Sequence, residues 1–417
     1  MKVIYLHQYF TTPEMSGGTR SYEMARRMVA AGHEVHMVTS YREMNTPEKS
    51  WFKTEESGIH VHWYPVPYSN NMSFLQRIKA FFDFAMAARK KAVKLGGDII
   101  FASSTPLTIA LPAVPASRKN KIPLVFEVRD LWPEMPIAVG ALQNPLLKFA
   151  AHKLELWAYR NSQAVVALSP GMKEGVVRTG FPAEKVAVIP NGCDNVEFQF
   201  DASAAVRFRK ERNWLGSSPL FVYAGTFGKV NGVDYIIDVA EQLLKIESEI
   251  KILLVGSGAE REKTIQMAKK KKVYEKNVFI EGAMPKSEIP GLLSAATMAS
   301  NLVIDLPEAR ANSANKFFDT LASGTPIFIN HGGWMHELVK STGCGLAMWQ
   351  KSPADVAVEL DSKMQDPQWL EKAGRAARQL AEENFDREKL ADELIRVLQA
   401  VKNKCPERAA YISPGCY

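Results

Sequence analysis

Short runs of consecutive apolar residues alternate with longer segments in which apolar residues recur every three or four positions. In the first half, the apolar runs Lys2–Leu6 and Glu34–Val38 flank a helical pattern over Thr19–Ala31. The same alternation returns in the second half with the runs Leu220–Ala224 and Ile250–Val255. This alternation is typical of βαβ units that build a parallel sheet. The pattern therefore predicts an α/β protein.

Chain length and one pattern-poor segment predict how the chain divides. At 417 residues the chain exceeds one ordinary hydrophobic core, so we expect two domains. Residues from about 197 to 218 are polar and lack a clear period, which favours an interdomain linker, and residues from Lys404 onward favour a loose tail. The expected parts are 1–198, 199–384, and a helix with its tail over 385–417.

Composition and charge narrow the class of protein. Hydrophobic residues make up 46% and charged residues 23%, as in ordinary globular proteins. The net charge of +7 attracts anions in general. We find no RNP-like aromatic run, zinc finger or basic-region heptad, so no nucleic-acid partner is expected. Met1 enters a strand-like run at once, without the pattern of a secretory signal, so we expect a cytoplasmic protein.

The cysteines and one long uncharged stretch argue against two further classes of protein: those held together by zinc or disulfides, and those that span a membrane. Four cysteines are scattered without Cys-x-x-Cys pairing, which predicts reduced thiols rather than a zinc site or a disulfide framework. They are Cys193, Cys344, Cys405 and Cys416. The long uncharged stretch Ile99 to Ser117 contains three prolines and several hydroxyl residues, so it is a poor candidate for a membrane span.

Residues 73–94 have the pattern of an amphipathic helix whose polar side carries many cations. One interpretation places it on an anionic membrane surface, where each cation contributes on the order of 1 kcal/mol. The other is a domain helix whose basic side faces water. Both interpretations remain open at this point.

A glycine pair, Gly17 and Gly18, lies between the first strand and the first helix, directly before Thr19 and Arg20. Such a pair lets backbone approach a ligand closely, so a phosphate or an acceptor group can bind there. The alternative is a plain tight turn, because the third glycine of a dinucleotide fingerprint is missing.

The stretch Leu124 to Glu134 delivers polar residues at the end of a buried strand, where open α/β sheets bind ligands. Asp130 can orient or deprotonate an acceptor hydroxyl, and Arg129 can hold a phosphate or a carboxylate. The aromatic ring of Trp132 follows directly. The alternative is an ion pair of Arg129 with Asp130 or Glu134 that fixes the loop.

The stretch Asn312 to Pro326 begins with small polar residues, offers the cation Lys316, and continues with apolar residues at helical spacing as far as Gly324. Unpaired amides and the helix dipole at such a start favour a phosphate. The carboxylate of Asp319, one turn further along, can then meet sugar hydroxyls. A second loop, Gly225 to Lys229, places another cation where a strand meets a helix.

These residues resemble the donor motif of retaining glycosyltransferases of the GT4 family. The form Asn-Ser-x-x-Lys-x-x-Asp is similar to that of bacterial surface-polysaccharide enzymes that attach acetamido-deoxysugars to lipid-linked intermediates. The second glutamate of the family motif falls on Asp319, whereas the first falls on Ala311. Asn312, Ser313 or Glu308 can take the place of that missing carboxylate.

The resemblance implies the GT-B fold, with two Rossmann-like domains whose parallel sheets face a central cleft. It also implies that the last helix, in 385–417, crosses back to the first domain. It implies three groups of site residues. The catalytic group is Asp130, Lys316 and Asp319. The donor-binding group is Gly18, Gly225, Lys229, Gly282, Asn312, Ser313 and Asn315. The acceptor-side group is Gly17, Arg20, Arg129 and Trp132.

The predicted function is transfer of an acetamido-deoxyhexose or related hexose, with retention, from a nucleoside-diphosphate donor of the UDP type. The acceptor would be a glycan or a polyprenyl-diphosphate-linked glycan, with peripheral contact to the inner face of the plasma membrane through 73–94. No Asp-x-Asp motif is present, so no metal is expected, and lysines and helix amides would stabilise the leaving diphosphate. Two alternatives are a nucleotide-sugar 2-epimerase and a non-catalytic nucleotide- or sugar-binding protein.

Overall fold

The chain forms two compact units in a computed structural model that describes residues 1–15, 17–42, 47–67, 72 and 74–415. The first unit comprises Met1–Pro190, Ala311–Ser313 and the described residues from Glu388 onward; the second comprises Asn191–Arg310 and Ala314–Arg387. Ser73 and Cys416, which figured in the sequence predictions, lie outside the described residues.

The strands are short and strongly apolar. In the first unit they are β1 (Lys2–Leu6), β2 (Glu34–Tyr41), β3 (Phe52–Glu56), β4 (Ile59–Pro65), β5 (Ile99–Ser103), β6 (Leu124–Val128), β7 (Ala164–Ala167) and β8 (Val186–Val188). In the second unit they are β9 (Leu220–Ala224), β10 (Lys251–Val255), β11 (Val278–Glu281), β12 (Met298–Asn301), β13 (Ile327–Ile329) and β14 (Gly345–Ala347).

The helices connect these strands. The first six are α1 (Arg20–Ala30), α2 (Phe74–Leu95), α3 (Ala110–Asn120), α4 (Glu134–Ala138), α5 (Pro145–Arg160) and α6 (Pro170–Arg178). Next come α7 (Ala202–Lys210), α8 (Tyr235–Lys245), α9 (Arg261–Lys270), α10 (Ile289–Ala295), α11 (Asn315–Ala322) and α12 (Trp334–Thr342). The last are α13 (Pro353–Met364), α14 (Pro367–Asn384), α15 (Arg387–Lys402) and α16 (Ala409–Ile412).

The first sheet has the order β3-β4-β2-β1-β5-β6-β7-β8, and every neighbouring pair is parallel except β3 with β4. Helices α2, α3, α5 and α6 contribute to the core on one face, and α1 and α15 to the core on the other. Because both faces are covered, the strands read as continuous apolar runs rather than alternating ones.

The second sheet has the order β11-β10-β9-β12-β13-β14 and is parallel throughout. Helices α7, α10, α11, α12 and α14 contribute to the core on one face, and α8, α9 and α13 to the core on the other. The predicted α/β class with two parallel sheets is therefore confirmed.

The prediction of an interdomain linker over residues 197–218 is wrong, because this segment contains α7 and belongs to the second unit. The Asp201 carboxylate caps that helix by accepting from the amides of Ser203 and Ala204 at 2.8 and 3.0 Å. Phe208 and Leu215 are buried in the second unit. Mostly charged residues lie between these two apolar anchors and obscure any apolar period.

The prediction of a loose tail is also wrong for the described residues beyond Lys404. The carbonyl oxygen of Ser413 accepts from the amide of Val188 at 2.9 Å, and the Ser413 hydroxyl donates to Glu393 at 2.7 Å. Ala409 is buried. The segment therefore packs on the first unit beside strand β8.

Candidate active site

Lys316 lies in the first turn of α11, and residues of β9 and the following loop hold its ammonium group. Its Nζ is 3.1 Å from the hydroxyl oxygen of Tyr223 and 3.1 Å from Oδ1 of Asn231. The same nitrogen lies 4.4 Å from the centroid of the Tyr223 ring. Tyr223 in turn donates to the carbonyl oxygen of Thr226 at 2.7 Å. The cation is thus fixed at the start of α11 by neutral partners.

The start of α11 has no side-chain cap from its N-cap residue. The N-cap residue, Ala314, has an extended backbone and makes no side-chain cap hydrogen bond. Unpaired amides at a helix start carry the positive end of the helix dipole. Lys316 and the start of α11 therefore present positive charge of two kinds at one place.

Partial burial changes the chemistry of Lys316. Loss of hydration lowers the pKa of its ammonium group to about 7. The side chain of Lys316 is half-buried. An amine with this pKa can gain a full charge when an anion approaches at neutral pH.

Gly225 leaves space for this lysine. A Cβ atom at Gly225 would lie 3.0 Å from both Cε and Nζ of Lys316 and 3.2 Å from the Tyr223 hydroxyl. The amide of Gly225 donates to the carbonyl oxygen of Val255 at 2.9 Å, and that of Phe227 donates to Ser257 at 2.8 Å. The glycine therefore gives access to the lysine while its own amide fixes the loop.

Lys229 belongs to the turn that supplies Asn231. Lys229–Asn231 form a short 3-10 turn, and Gly232 ends it with a φ of 52°. Lys229 itself is exposed. Gly282 follows β11 and is also exposed, with open space where a Cβ would lie. Both predicted donor-side residues are thus accessible within the second unit.

Asp319 lies one turn along α11 from Lys316 and is partly buried among charged groups. Burial raises the pKa of its carboxyl group to about 7, opposed by the cations Arg387 and Lys286 and reinforced by the acids Glu197 and Asp194. Arg387 pairs with Asp194, and Lys286 pairs with Glu197 at 3.4 Å. At neutral pH this carboxyl group can therefore donate or accept a hydrogen bond.

The position of the first motif glutamate, Ala311, is tightly packed. Its carbonyl oxygen accepts from the Ser169 hydroxyl at 2.6 Å, and a Cβ at Gly171 would lie 3.0 Å from the Ala311 Cβ. Of the polar residues that follow, Ser313 is buried, whereas Asn312 and Asn315 are half-buried. Their donor-binding roles stay predictions.

Arg20 is part of a buried ion pair in the first unit. Its guanidinium donates to Glu127 at 2.9 and 3.1 Å and to the carbonyl oxygens of Ile189 and Pro190 at 2.9 and 2.6 Å. The side chains of Arg20 and Glu127 are 2% and 0% exposed. Arg20 therefore connects three segments of the first unit. Its predicted role on the acceptor side stays a prediction.

Two polar groups follow β6 at the carboxyl edge of the first sheet. Asp130 is exposed and accepts from the Thr105 hydroxyl at 3.2 Å. Arg129 lies with Nη1 3.0 Å from Nε2 of His7 and 3.4 Å from the Ser21 hydroxyl. Burial, Arg129 and Arg42 all lower the pKa of His7, so this imidazole stays neutral.

The remaining predicted site residues of the first unit are Trp132, Gly17 and Gly18. Trp132 is half-buried and packs against the core that α2, α3 and α5 share. Gly17 and Gly18 are exposed, and the Gly18 carbonyl oxygen accepts from the Thr11 hydroxyl at 2.9 Å. Gly17 has a φ of 141°, which a residue with a side chain rarely adopts.

Sequence reasoning missed Tyr223, Asn231 and His7. Tyr223 ends an apolar strand and resembles a core residue, and no periodicity distinguishes it. Asn231 precedes Gly232, and this Asn-Gly pair was a turn signal that could have drawn attention to the position.

Metal sites, membrane-spanning helices and cysteine pairs are three features considered from the sequence. Within the described ranges, no group of three or more His, Cys, Asp or Glu residues is arranged to hold a metal ion. In the same part of the chain, no helix has the length and apolar character needed to cross a bilayer. Cys193, Cys344 and Cys405 are free thiols.

Two α/β units, each built on a sheet of largely parallel strands, are typical of the GT-B class of glycosyltransferase folds. Anabaena HepE in complex with UDP-glucose is similar in structure, with a TM-score of 0.71 and 16% identity over 96% of this chain and 100% of that chain. At this identity the likeness shows the fold.

Sequence comparison gives the family. Residues 17–192 match the glycosyl transferase 4-like domain, and residues 206–380 match the glycosyl transferases group 1. The chain belongs to the group 1 (GT4) glycosyltransferases, which transfer a sugar from a nucleotide-sugar donor.

Two curated relatives are similar in sequence. The glycogen synthase of Mycobacterium tuberculosis is 24% identical over 297 residues, which cover 70% of this chain and 67% of the relative. A candidate colanic acid biosynthesis glycosyl transferase of Escherichia coli, WcaI, is 23% identical over 64% of this chain and 69% of the relative. Of the functions considered from the sequence, the family supports the transferase.

Proposed function

We propose that this enzyme transfers an acetamido-deoxyhexose or related hexose, with retention, from a UDP-sugar to a glycan or polyprenyl-diphosphate-linked acceptor. The pathway is surface-polysaccharide synthesis, at the inner face of the plasma membrane, with peripheral contact through residues 73–94. The observation that carries the proposal is Lys316, fixed by Tyr223 and Asn231 at a helix start whose N-cap residue provides no side-chain cap.

The donor binds to the second unit in this proposal. Lys316, Lys229 and the first amides of α11 bind the diphosphate, where negative charge develops as the sugar leaves. Asp319 binds sugar hydroxyls with a carboxyl group whose pKa burial raises to about 7. Gly282 contacts the base through its backbone. The UDP-glucose complex of HepE supports a uridine donor on this fold.

The acceptor binds to the first unit. The exposed carboxylate of Asp130 orients the acceptor hydroxyl or takes its proton, and Thr105 holds that carboxylate in place. Arg129 provides a cation for an acceptor phosphate, and the exposed backbone of Gly17 and the ring of Trp132 belong to the same proposed acceptor side, whereas Gly18 belongs to the proposed donor side. The colanic acid name of one relative favours a polysaccharide or lipid-linked acceptor.

The proposal includes metal-independent transfer. The lysines and amides provide the positive charge that a divalent ion supplies in metal-dependent transferases. Transfer in the presence of excess EDTA should therefore proceed at the rate measured without the chelator.

A thermal-shift screen of nucleoside diphosphates and their sugars tests the donor site, because a ligand that binds only the native state raises its melting temperature. UDP and UDP-hexoses should raise the melting temperature more than GDP or ADP, and Lys316→Ala should remove most of that shift. Lys340→Ala, which changes an exposed lysine of α12, is the matched control. A shift of equal size in the Lys316 and Lys340 variants would refute the donor assignment.

A further inference from the structure

The first half of α5 exposes large apolar side chains. Leu146 is 79% exposed, Phe149 63% and Leu147 39%. Deeper in the same helix, Ala158 and Tyr159 are buried in the core of the first unit. The helix is therefore anchored by its second half, and its first half presents an apolar surface that this unit leaves uncovered.

The first half of α5 and the loop before it carry positively charged residues and no acidic ones. From Met135 to Lys153 the sequence contains no acidic residue, and Lys148 and Lys153 lie among the apolar positions. The ammonium of Lys153 lies 5.2 Å from the ring centroid of Phe149. The single acid of α5, Glu155, is buried, and burial together with the nearby Glu134 raises its pKa to about 8. Any partner of this surface must accept both apolar side chains and cations.

The position of α5 relates the surface to the acceptor side of the unit. Strands β6 and β7 are parallel neighbours, and α5 lies in the connection between them, so its first turns lie towards the carboxyl edge of the sheet. Asp130 follows β6 at that same edge. The 3-10 turn Leu107–Ile109, just beyond Thr105, touches both α2 and α5.

Helix α2 carries a similar surface in the same layer. Phe82 and Met86 are 50% and 55% exposed, with the exposed cations Arg89 and Lys90 nearby on the helix. Side chains of α2 and α5 enter one apolar core, so both helices cover the same face of the sheet. Apolar side chains flanked by cations are the composition that binds the interface of anionic bilayers.

From these observations we infer that the first half of α5, residues 144–153, docks on an anionic bilayer surface, inserting Leu146, Leu147 and Phe149 between the head groups. Lys148 and Lys153 contact the lipid phosphates. This surface is separate from the contact proposed for residues 73–94. It rests on the proposed function only in that a lipid-linked acceptor would then meet the edge of the sheet that carries Asp130.

Sedimentation of the full chain with lipid vesicles tests this inference. Vesicles of phosphatidylcholine with about one third phosphatidylglycerol are compared with pure phosphatidylcholine vesicles, with no sugar nucleotide present. The wild type should bind the anionic vesicles and release as salt rises. The double variant Leu146→Glu/Phe149→Glu should bind at least about tenfold more weakly.

The double variant should keep its fold, because acidic residues near a helix start are favourable and the Asn144 cap is unchanged. Its melting temperature checks this. The matched control is Val358→Glu, which changes a 58% exposed valine that lies among acidic residues on α13 and should bind vesicles like the wild type.

Two results would overturn the inference. One is equal vesicle binding by the wild type and the double variant, or no binding by either. The other is a wild-type dimer in sedimentation velocity that the double variant dissociates without any vesicle binding, which would assign the surface to self-association. Because no turnover is measured, failure here is distinguishable from failure of the transferase assignment.

Discussion

The ammonium group of Lys316 lies 3.1 Å from the hydroxyl oxygen of Tyr223 and 4.4 Å from the centre of its ring. Both contacts are with a neutral group, so they position the lysine without a counter-charge. A diphosphate that arrives at this place meets a nitrogen that is already oriented and whose proton affinity has been lowered.

Proton uptake on binding of a UDP-hexose, whose diphosphate diester has no group that titrates near pH 7, should follow from that arrangement. With a pKa of about 7, Lys316 is mostly neutral at pH 8 and mostly charged at pH 6. A bound diphosphate restores the charge, so binding at pH 8 should take up close to one proton, and binding at pH 6 about a tenth of one. Calorimetry in two buffers of different ionisation enthalpy measures this quantity. Persistent uptake in Lys316→Ala would assign the proton to another group.

Asp319 should make stability depend on pH in the opposite direction to an ordinary surface carboxylate. Its pKa is raised from 3.8 to about 7 in the folded chain, so its favourable contribution is present below about pH 4 and is lost as pH rises to 7. The free energy of unfolding of the wild type should therefore fall, relative to Asp319→Asn, by on the order of 2 kcal/mol across this range. Urea unfolding at several pH values measures it.

Glu371→Gln, which removes an exposed carboxylate of α14, should show no such difference from the wild type. If Asp319→Asn and the wild type instead lose stability in parallel between pH 4 and 7, the carboxyl group of Asp319 is ionised in the folded chain throughout.

Gly225→Ala should weaken donor use because the new methyl group would displace Lys316. The Cβ would lie 3.0 Å from Nζ and Cε of the lysine, which must then move. We expect kcat/KM for the donor to fall by up to about tenfold, less than the roughly 100-fold that a displacement of 1 Å can cost, because the lysine must give way by only a few tenths of an ångström. Steady-state kinetics measure this change.

Gly291→Ala serves as the control for the glycine substitution. This position is in α10, and its nearest neighbour would be the Ala204 Cβ at an ordinary 3.6 Å. Activity should be unchanged, and the helix should gain about 0.5–1 kcal/mol. Equal activity of the Gly225 and Gly291 variants would show that Lys316 has room to shift.

Arg20→Ala should destabilise the first unit severely. It would leave the fully buried carboxylate of Glu127 without its cation and two carbonyl groups without their donor, at a cost of about 3–5 kcal/mol. Arg375→Ala removes an exposed pair with Glu371 and should cost less than about 1 kcal/mol. Chemical unfolding compares the two. Similar small losses would mean that water replaces the Arg20 guanidinium.

The sheets and the start of α11 could be predicted from the sequence, whereas the partners of Lys316 could not. Strands covered on both faces read as uninterrupted apolar runs, and small polar residues before Lys316 indicate a helix start. Tyr223 looks like core because its ring is buried, and only the fold brings its hydroxyl to a residue 93 positions away.

Two local errors have a common physical cause. Helix α7 and the segment after Lys404 each bury only a small number of apolar residues among polar ones, although both pack on neighbouring elements. Phe208 anchors the first, and the backbone pairing of Ser413 with Val188 anchors the second. So few apolar residues leave no periodic signal.

Ala311 and Gly171 set a boundary on how this enzyme can be re-engineered. The alanine side chain belongs to the apolar core of the first unit, with glycine as its close neighbour. Grafting the common acidic residue into this position would place a carboxylate in hydrocarbon surroundings before it met any sugar. A side chain added at either position would therefore crowd the other, so the two small residues limit each other's size.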